Sequence, residues 1–545
     1  MASSRPNTGK PANEADYVED PKASAAVDAA LRGQAVTGYE SLSVWETAKL
    51  FKIATACCFA AAFSAATDGY QIGTSNIPPR MNAGIVANKG FVHQFSTLTD
   101  ASGKPYLDSP ILSAWSSIMS VGQVLGMTTI PFLSSRFGRK PAMYALWLVL
   151  ASSVAVESAA RSWPVWLVGK LLAGAGVGCV QSTLPVYIAE VAPTRIRGGL
   201  LMCYSFWWTV GTFCAHVALQ SLNKTNPNNY LNPIYTQWAQ IGLMLIVFLV
   251  LPESPAWCVG RGDEARARKC LAWLYHNVPD FDLERQYGAL LATVEHERAV
   301  AAEQKRESWH AIFRGTDGLR TLISLWTNLS QQFIGLTLFA TFGTYFFQQA
   351  GLQDPFLIKA ITSSINIATI IVTIFVADRL GRRWIGCGGI TACWVSCVVI
   401  GIMGVIKKTD ATTYVFVLFA CFWNIGMTAS GAAGWGYIGE ISSQRLRPYT
   451  AGFGAACTCV VGIVMNVLVP YMVNANKWDW GLKTGWFYAG VGLPFAAGMW
   501  LLVPDTAGRS AAELDELFER KVRPWRFHKT RTATQNLVSR QREEQ

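Results

Sequence analysis

The sequence predicts an all-α membrane protein of twelve transmembrane helices, arranged as two six-helix bundles with both termini in the cytoplasm. Composition is the first support: the 545 residues are 51% hydrophobic and only 15% charged, whereas soluble domains carry about 25% charged residues. The apolar residues also fall into runs of about 20, the length at which a helix crosses a bilayer core. Finally, motifs of the first half recur in the second.

The first predicted element is a tail over residues 1–50, which is polar, rich in Ala, Ser and Pro, and expected to be disordered. It lacks the apolar core of a signal peptide, so we expect the first apolar run to remain as a spanning helix. Long unbroken runs favour helices over barrel strands, because backbone groups in lipid must be satisfied internally. The twelve predicted spans lie near residues 51–77, 110–133, 142–160, 163–189, 199–220, 234–251, 319–348, 356–377, 385–406, 412–438, 450–474 and 483–503.

These spans divide the chain into an N-terminal bundle at 51–251 and a C-terminal bundle at 319–503. The charged segment 252–318 predicts a cytoplasmic linker with short amphipathic helices, and residues 504–545 predict a basic cytoplasmic tail. Basic residues concentrate in the loops after spans 2, 4, 8 and 10, which indicates that these loops face the cytoplasm. Those residues are Arg136, Arg139, Lys140, Arg195, Arg197, Arg379, Arg382, Arg383, Arg445 and Arg447.

Several other function classes are disfavoured. The net charge of +11 comes from short basic clusters between apolar runs, which is not the continuous basic face of a nucleic-acid-binding protein. The 13 cysteines show no disulfide framework, and Cys393 and Cys397, although spaced closely enough to share a metal, lie mid-span with no histidine nearby in the sequence. No phosphate-binding Gly-rich loop is present, and no cluster of catalytic residues is apparent. We therefore expect no enzyme activity, no cofactor, no metal and no nucleic-acid partner.

Internal repetition is the most specific signal. RFGRK at 136–140 recurs as RLGRR at 379–383, and YIAEVAPTRIRG at 187–198 recurs as YIGEISSQRLRP at 437–448. LPESP at 251–255 recurs as VPDTAG from 503, so the three offsets are 243, 250 and 252. Such pairs predict two homologous halves that enclose a central polar site near the midplane of the membrane. Small residues in GAGVG at 174–178 predict a close approach between helices rather than a nucleotide site.

These motifs resemble those of the sugar porter family of the major facilitator superfamily over nearly all of residues 50–520. The family's loop motif is intact from Asp378 to Arg383, although Ser135 replaces the acid in the first copy. PESP at 252–255, QQFIGL at 331–336 and PDTAGRSAAELDELF at 504–518 are also similar to family signatures. The stretch 469–490 is similar to fungal α-glucoside or maltose permeases and their hexose transporter relatives.

The resemblance implies a secondary transporter that moves a mono- or disaccharide across the plasma membrane by alternating access. It implies sugar contacts at Gln331, Gln332, Asn366 and Trp435, with Ser205 and Thr337 at two positions where the family usually has amides. It also implies a cytoplasmic gate, in which arginines pair with acids at helix ends. The gate residues are Arg136, Arg139, Glu190, Arg379, Arg382 and Glu440.

Coupling to protons is the remaining expectation. The positions that match the acid and base of proton-linked relatives hold Gln71 and Lys170, and Gln cannot take up a proton. Asp68 lies three residues earlier, on nearly the same helix face, so we predict that Asp68 carries the proton beside Lys170. The expected partners are sugar, protons and the bilayer, with the protein acting as a monomer. A facilitated uniporter, a carrier of a related polyol or organic acid, and a non-transporting sugar sensor remain alternatives.

Overall fold

The computed structural model describes most of the chain between residues 44 and 530. The described residues are 44–75, 89–99, 105–107, 109–193, 196–226, 228–279, 281–306, 309–341, 355–407, 409–441, 446–473, 478–505, 514, 517–518, 520 and 522–530. Nearly all of the predicted N-terminal tail and most of the predicted C-terminal tail therefore lie outside the described residues.

Helices account for most of the described residues in the first half. They are α1 (Val44–Leu50), α2 (Lys52–Phe63), α3 (Ala65–Ser75), α4 (Lys89–Phe95), α5 (Ser109–Phe137), α6 (Arg139–Ala159), α7 (Trp163–Val191), α8 (Arg197–Thr225) and α9 (Leu231–Val250). A small antiparallel hairpin pairs β1 (Leu98–Thr99) with β2 (Pro105–Tyr106). Three amphipathic helices follow: α10 (Pro255–Arg261), α11 (Glu264–Tyr275) and α12 (Leu283–Arg306).

The second half is also helical. It contains α13 (Gly315–Phe333), α14 (Pro355–Leu380), α15 (Arg382–Met403), α16 (Asp410–Ile441), α17 (Arg447–Val473) and α18 (Thr484–Leu502). Short 3₁₀ segments lie at Trp309–Phe313, Gly481–Lys483 and Pro524–Lys529, and a π-helical segment lies at Thr337–Thr341.

Eight helices within the described residues are long and apolar enough to cross a membrane. They contain the stretches Ser113–Phe137, Arg139–Ala159, Trp163–Val191, Leu231–Val250, Arg383–Met403, Asp410–Gly431, Gly452–Val473 and Gly481–Leu502. The chain is therefore a multi-pass helical membrane protein. The other four predicted spans coincide with α2 and α3, α8, α13 and α14, so the total of twelve stays a prediction.

The buried apolar residues form separate clusters in the two halves. One cluster joins α2, α5, α6, α7 and α9, and another joins α13, α15, α16, α17 and α18. Helices of the two halves meet where α8 packs on α14 and where α5 packs on α17. Each meeting place carries a polar contact: His216 Nδ1 lies 2.9 Å from Ser363 Oγ, and Asn466 Nδ2 donates to Ser120 Oγ at 3.5 Å.

Close packing of α5 on α7 rests on glycines. A Cβ atom on Gly174 would lie 2.0 Å from the Met119 carbonyl oxygen, and one on Gly178 would lie 2.1 Å from the Gln123 carbonyl oxygen. Backbones can approach this closely only when the intervening residue has no side chain. The prediction of close helix approach at 174–178 is confirmed.

Candidate functional site

A fully buried carboxyl group lies at the centre of the N-terminal half. Asp68 of α3 is 0% exposed and accepts hydrogen bonds from Gln181 Nε2 at 2.9 Å and from the Tyr204 hydroxyl at 3.3 Å. Gln123 of α5 in turn donates to Gln181 Oε1 at 2.7 Å. Asp68 is thereby connected to α5, α7 and α8 through neutral donors. Within the described residues, no basic side chain forms an ion pair with it.

A second polar group contains a buried ion pair between α6 and α7. Gln71, about one turn beyond Asp68 on α3, belongs to this group. Lys170 Nζ lies 3.0 Å from Glu157 Oε1, and the two side chains are 2% and 1% exposed. Gln71 donates to the same Glu157 oxygen at 2.9 Å. The Lys170 ammonium group also lies 4.8 Å from the centre of the Trp166 ring, where a cation–π attraction helps to replace lost hydration.

Aromatic residues cover this ion pair. Phe91 of α4 packs edge-on against Trp115, Trp166 and Tyr230, with ring centres 4.9 to 5.9 Å apart. The chain between α3 and α5 thus places a buried aromatic residue against the ring that covers Lys170. Such a cover keeps water from the ion pair, which strengthens the attraction between its charges.

The expected pairing of Asp68 with Lys170 is corrected by this geometry. The Asp68 carboxylate bonds Gln181, and Gln181 lies 181 − 170 = 11 residues from Lys170 on α7, about 16 Å along the helix axis. The partner of Lys170 is instead Glu157, which no sequence pattern predicted. An acid inside an apolar span was the available signal, because such residues are costly in lipid and usually functional.

The predicted amide residues of the second half lie on two helices. Gln331 is half-buried near the end of α13, and Gln332 is 9% exposed. The Thr337 hydroxyl donates to Gln332 Oε1 at 3.5 Å, and the Thr428 hydroxyl donates to Asn366 Oδ1 at 3.1 Å. Asn366 therefore links α14 to α16. Ser205 is half-buried on α8, and the Trp435 side chain lies outside the described residues.

One predicted gate pair is present. Arg139 and Glu190 form a two-point ion pair, with Nε–Oε2 and Nη2–Oε1 distances of 3.0 and 2.6 Å. Arg136 does not join it: this side chain is exposed, and its guanidinium lies over the Phe137 ring. Arg136 lies in the last turn of α5 and its side chain is exposed, whereas Arg139 is the first residue of α6 and its side chain turns inward to Glu190. The side chains of Arg379, Arg382 and Glu440 lie outside the described residues.

The repeated LPESP and VPDTAG motifs place acids at two helix N-termini. Glu253 is 5% exposed and accepts from the backbone N–H groups of Arg139 and Lys140 at 2.8 and 3.2 Å. It reaches them because Gly138 has a φ of 115° and no side chain. In the second half, Asp505 approaches Gly381 at the start of α15 in the same manner. Glu253 satisfies free N–H groups at the start of α6, and both acids lie near the positive end of a helix dipole.

We expect Glu253→Gln to lower the free energy of unfolding by about 1–2 kcal/mol, because the neutral amide accepts weaker hydrogen bonds and loses its attraction to the α6 dipole. Thermal unfolding of the detergent-purified protein measures the change. Glu264→Gln is the matched control, because Glu264 is exposed and its ion pair with Arg268 contributes little. Equal melting temperatures for both variants would contradict this role of Glu253.

Comparison with known proteins identifies relatives along most of the chain. The family model described as "Sugar (and other) transporter" matches residues 57–518. An MFS transporter of Aspergillus fumigatus, fmqE, is 29% identical over 82% of this chain and 83% of its own length, and its name states no cargo. A general alpha-glucoside permease of Saccharomyces cerevisiae is 26% identical over 81% of this chain and 72% of its own length.

Solved structures show the same fold. The proton:xylose symporter XylE matches with a TM-score of 0.65 at 20% identity, over 87% of this chain and 100% of that chain. A match over 87% of this chain includes residues of both halves.

Proposed function

Because the chain belongs to the sugar transporter family of the major facilitator superfamily, we propose that it moves a sugar across the plasma membrane by alternating access, coupled to protons. Family membership makes the protein a transporter rather than an enzyme. The coupling, the cargo and the membrane are the proposed parts. The observation that carries the coupling is Asp68, a fully buried carboxyl group held by neutral donors.

The proposed topology has twelve spans in two bundles, 51–251 and 319–503, with the linker and both termini in the cytoplasm. Arginine-rich turns at the starts of α6 and α15 support this orientation, because basic loops remain on the cytoplasmic side. The Arg139–Glu190 pair lies at this face and is a candidate gate contact. The two polar contacts between the halves would separate and re-form as the bundles rock.

The proposed sugar site lies between the halves, with Gln331, Gln332 and Asn366 as amide contacts. An amide offers both a donor and an acceptor to each sugar hydroxyl. Gln332 is almost fully buried, and its amide nitrogen lies near Gly462 of α17. Because this glycine has no side chain, it leaves room beside the amide. Trp435, Ser205 and Thr337 complete the proposed set. An α-glucoside or another mono- or disaccharide is the proposed cargo.

Two buried groups support proton coupling in the N-terminal half. Among the described residues Asp68 has only neutral donors, so uptake of a proton removes a charge that these surroundings do not balance. Glu157 and Lys170 balance one another, and Gln71 ties Glu157 to the same helix as Asp68. Movement of α3 during the transport cycle would therefore change the environment of both acids. We assign the exchanged proton to Asp68 and a supporting role to the ion pair.

Uptake into liposomes tests the proposal. Purified protein is expected to accumulate a radiolabelled sugar, chosen from maltose, glucose, galactose, lactose and the acid quinate, when a pH gradient is imposed. Asp68→Asn keeps the acceptor for Gln181 but cannot release a proton, so we expect exchange of sugar without accumulation above the outside concentration. Asp410→Asn is the matched control, because Asp410 is exposed at the start of α16.

The outcomes separate the parts of the proposal. Uphill accumulation by Asp68→Asn equal to that of the unmutated protein would refute the assigned coupling. Equal uptake with and without the pH gradient would identify a uniporter. Saturable binding of sugar without any flux would identify a sensor, and uptake of quinate alone would replace sugar with an organic acid as cargo.

A further inference from the structure

The two polar contacts between the halves are related by the internal repeat. His216 Nδ1 of α8 lies 2.9 Å from Ser363 Oγ of α14, and Asn466 of α17 donates to Ser120 of α5 at 3.5 Å. The offset of 243, taken from RFGRK and RLGRR, carries Ser120 onto Ser363. The offset of 250, taken from YIAEVAPTRIRG and YIGEISSQRLRP, carries His216 onto Asn466. Two accidental contacts would not be expected to occupy equivalent positions.

The same repeat relates two amide residues that lie close to these contacts. Gln123 follows Ser120 by three positions on α5. Asn366 follows Ser363 by three positions on α14, so the offset of 243 also separates the two amides. Residues three positions apart are neighbours on one side of a helix. Both serines contact the opposite half, so the sides of α5 and α14 that carry the amides are turned towards the boundary between the halves.

Both amides lie near the middle of a predicted span. Gln123 precedes the end of α5 at Phe137 by 137 − 123 = 14 residues, and Asn366 precedes the end of α14 at Leu380 by the same number. This is about 21 Å along each helix axis. A two-fold axis along the membrane normal places equivalent residues at equal depth on opposite sides of a midplane site. Because Asn366 belongs to the proposed sugar site, its counterpart Gln123 is expected across that site.

The contacts of Gln123 fit a residue that binds a ligand. Its side chain is half-buried, and its amide nitrogen donates to the side-chain oxygen of Gln181 at 2.7 Å. An amide group can donate two hydrogen bonds and accept two, so the bond to Gln181 is compatible with a further bond to a sugar hydroxyl. Gln181 in turn donates to Asp68 at 2.9 Å. Two amide groups thus connect the proposed sugar position to the proposed proton site.

We propose that Gln123 is a sugar contact of the N-terminal half and that it links the bound sugar to Asp68 through Gln181. This inference rests on the proposed transport function and extends its site, whose other proposed amide contacts all come from the C-terminal half. A sugar hydroxyl that bonds Gln123 orients this amide, and the orientation passes to Gln181 because one hydrogen bond joins them. Binding of sugar and protonation of Asp68 then favour or oppose each other reciprocally, as coupling between two sites requires.

Competition by deoxy sugars tests the contact. Radiolabelled glucose or maltose, whichever the purified full chain binds, is displaced by the same sugar unlabelled or by each of its monodeoxy derivatives. We expect Gln123→Leu, which removes the amide at similar size, to weaken sugar binding about tenfold. One monodeoxy derivative should then bind this variant as well as the parent sugar does. Thr128→Val is the matched control, because Thr128 is exposed on the same helix and donates to carbonyl groups of that helix.

Failure of the contact and failure of the proposed function give different results. Equal affinity of the unmutated protein and Gln123→Leu, or an equal loss for the parent sugar and every monodeoxy derivative, would overturn the contact. Absence of sugar binding by the unmutated protein would count against the proposed function. Where Gln123→Leu yields no folded protein, Gln123→Asn carries the same comparison, because its amide is one methylene group shorter and should reach either Gln181 or the sugar, but not both.

A double-mutant cycle tests the link to Asp68. Asp68→Asn imitates the protonated acid, since its amide is neutral and still accepts from its partner on α7. We expect this substitution to change sugar affinity at least about fivefold in the unmutated background and to leave it unchanged in Gln123→Leu. Tyr204 and the Glu157–Lys170 pair, titratable groups of the surrounding helices, are the same in both arms. Equal changes in both backgrounds would overturn the link, whereas the deoxy sugars decide the contact.

Discussion

Replacement of Lys170 by methionine is expected to lower the free energy of unfolding by about 3–5 kcal/mol, because it leaves the Glu157 carboxylate buried without its cation. The ion pair is almost entirely excluded from solvent, with an Nζ–Oε1 distance of 3.0 Å. Gln71 alone cannot compensate, since an amide donor balances only part of a buried negative charge. Thermal unfolding and the yield of monodisperse protein in detergent measure the loss.

A paired substitution distinguishes loss of charge balance from loss of packing. The double variant with methionine at positions 157 and 170 removes both charges at similar volume, and such replacements are often neutral or stabilising. We expect it to unfold close to the unmutated protein. Lys269→Met is the surface control, because Lys269 is exposed on α11. A double variant as unstable as Lys170→Met would show that the charges do not determine the effect.

Transport by the double variant with methionine at positions 157 and 170 tests whether the ion pair takes part in proton coupling. If Asp68 alone carries the proton, the stable double variant should retain sugar accumulation driven by a pH gradient. If Glu157 shares the proton, accumulation should be lost while exchange persists. This comparison uses a folded protein in both arms, so it separates a mechanistic role of the ion pair from its structural role.

Local features of this chain were predictable from sequence because neighbouring residues determine them. The apolar runs predicted where the helices lie. The acids of the repeated motifs, Glu253 and Asp505, lie at the N-termini of helices, which gives the repetition a structural reason. Side-chain partners were less accessible, because they depend on how helices rotate against each other. Gln181 and Asp68 are 113 positions apart in the chain, and a turn of one residue on either helix would separate them.

The pairing of Lys170 is an example of a side-chain contact that the sequence alone could not predict. Position and charge made Asp68 a reasonable partner, since its helix packs on α7. Packing decided against it, because α3 places Asp68 against Gln181, which lies about 16 Å along α7 from Lys170.

The substitution Gly178→Ala is expected to be more damaging than its single methyl group suggests. The added Cβ would lie 2.1 Å from the Gln123 carbonyl oxygen, a backbone atom of α5. Neither helix can yield locally, because Gly122, Gly126 and Gly174 make equally close approaches along the same contact. Overpacking costs about 1–3 kcal/mol where side chains can adjust, so a clash between two backbones should cost at least about 3 kcal/mol.

The clash at position 178 would also displace a side chain of α5 that supports the proposed proton site. Separation of α5 from α7 would move Gln123 away from Gln181, which donates to Asp68. Any folded Gly178→Ala protein should therefore show weaker proton coupling as well as lower stability. Gly242→Ala is the matched control, because a Cβ on Gly242 of α9 would meet nothing within 4 Å and alanine is the better helix former. Equal yields and melting temperatures for the two variants would refute close backbone contact as the basis of this packing.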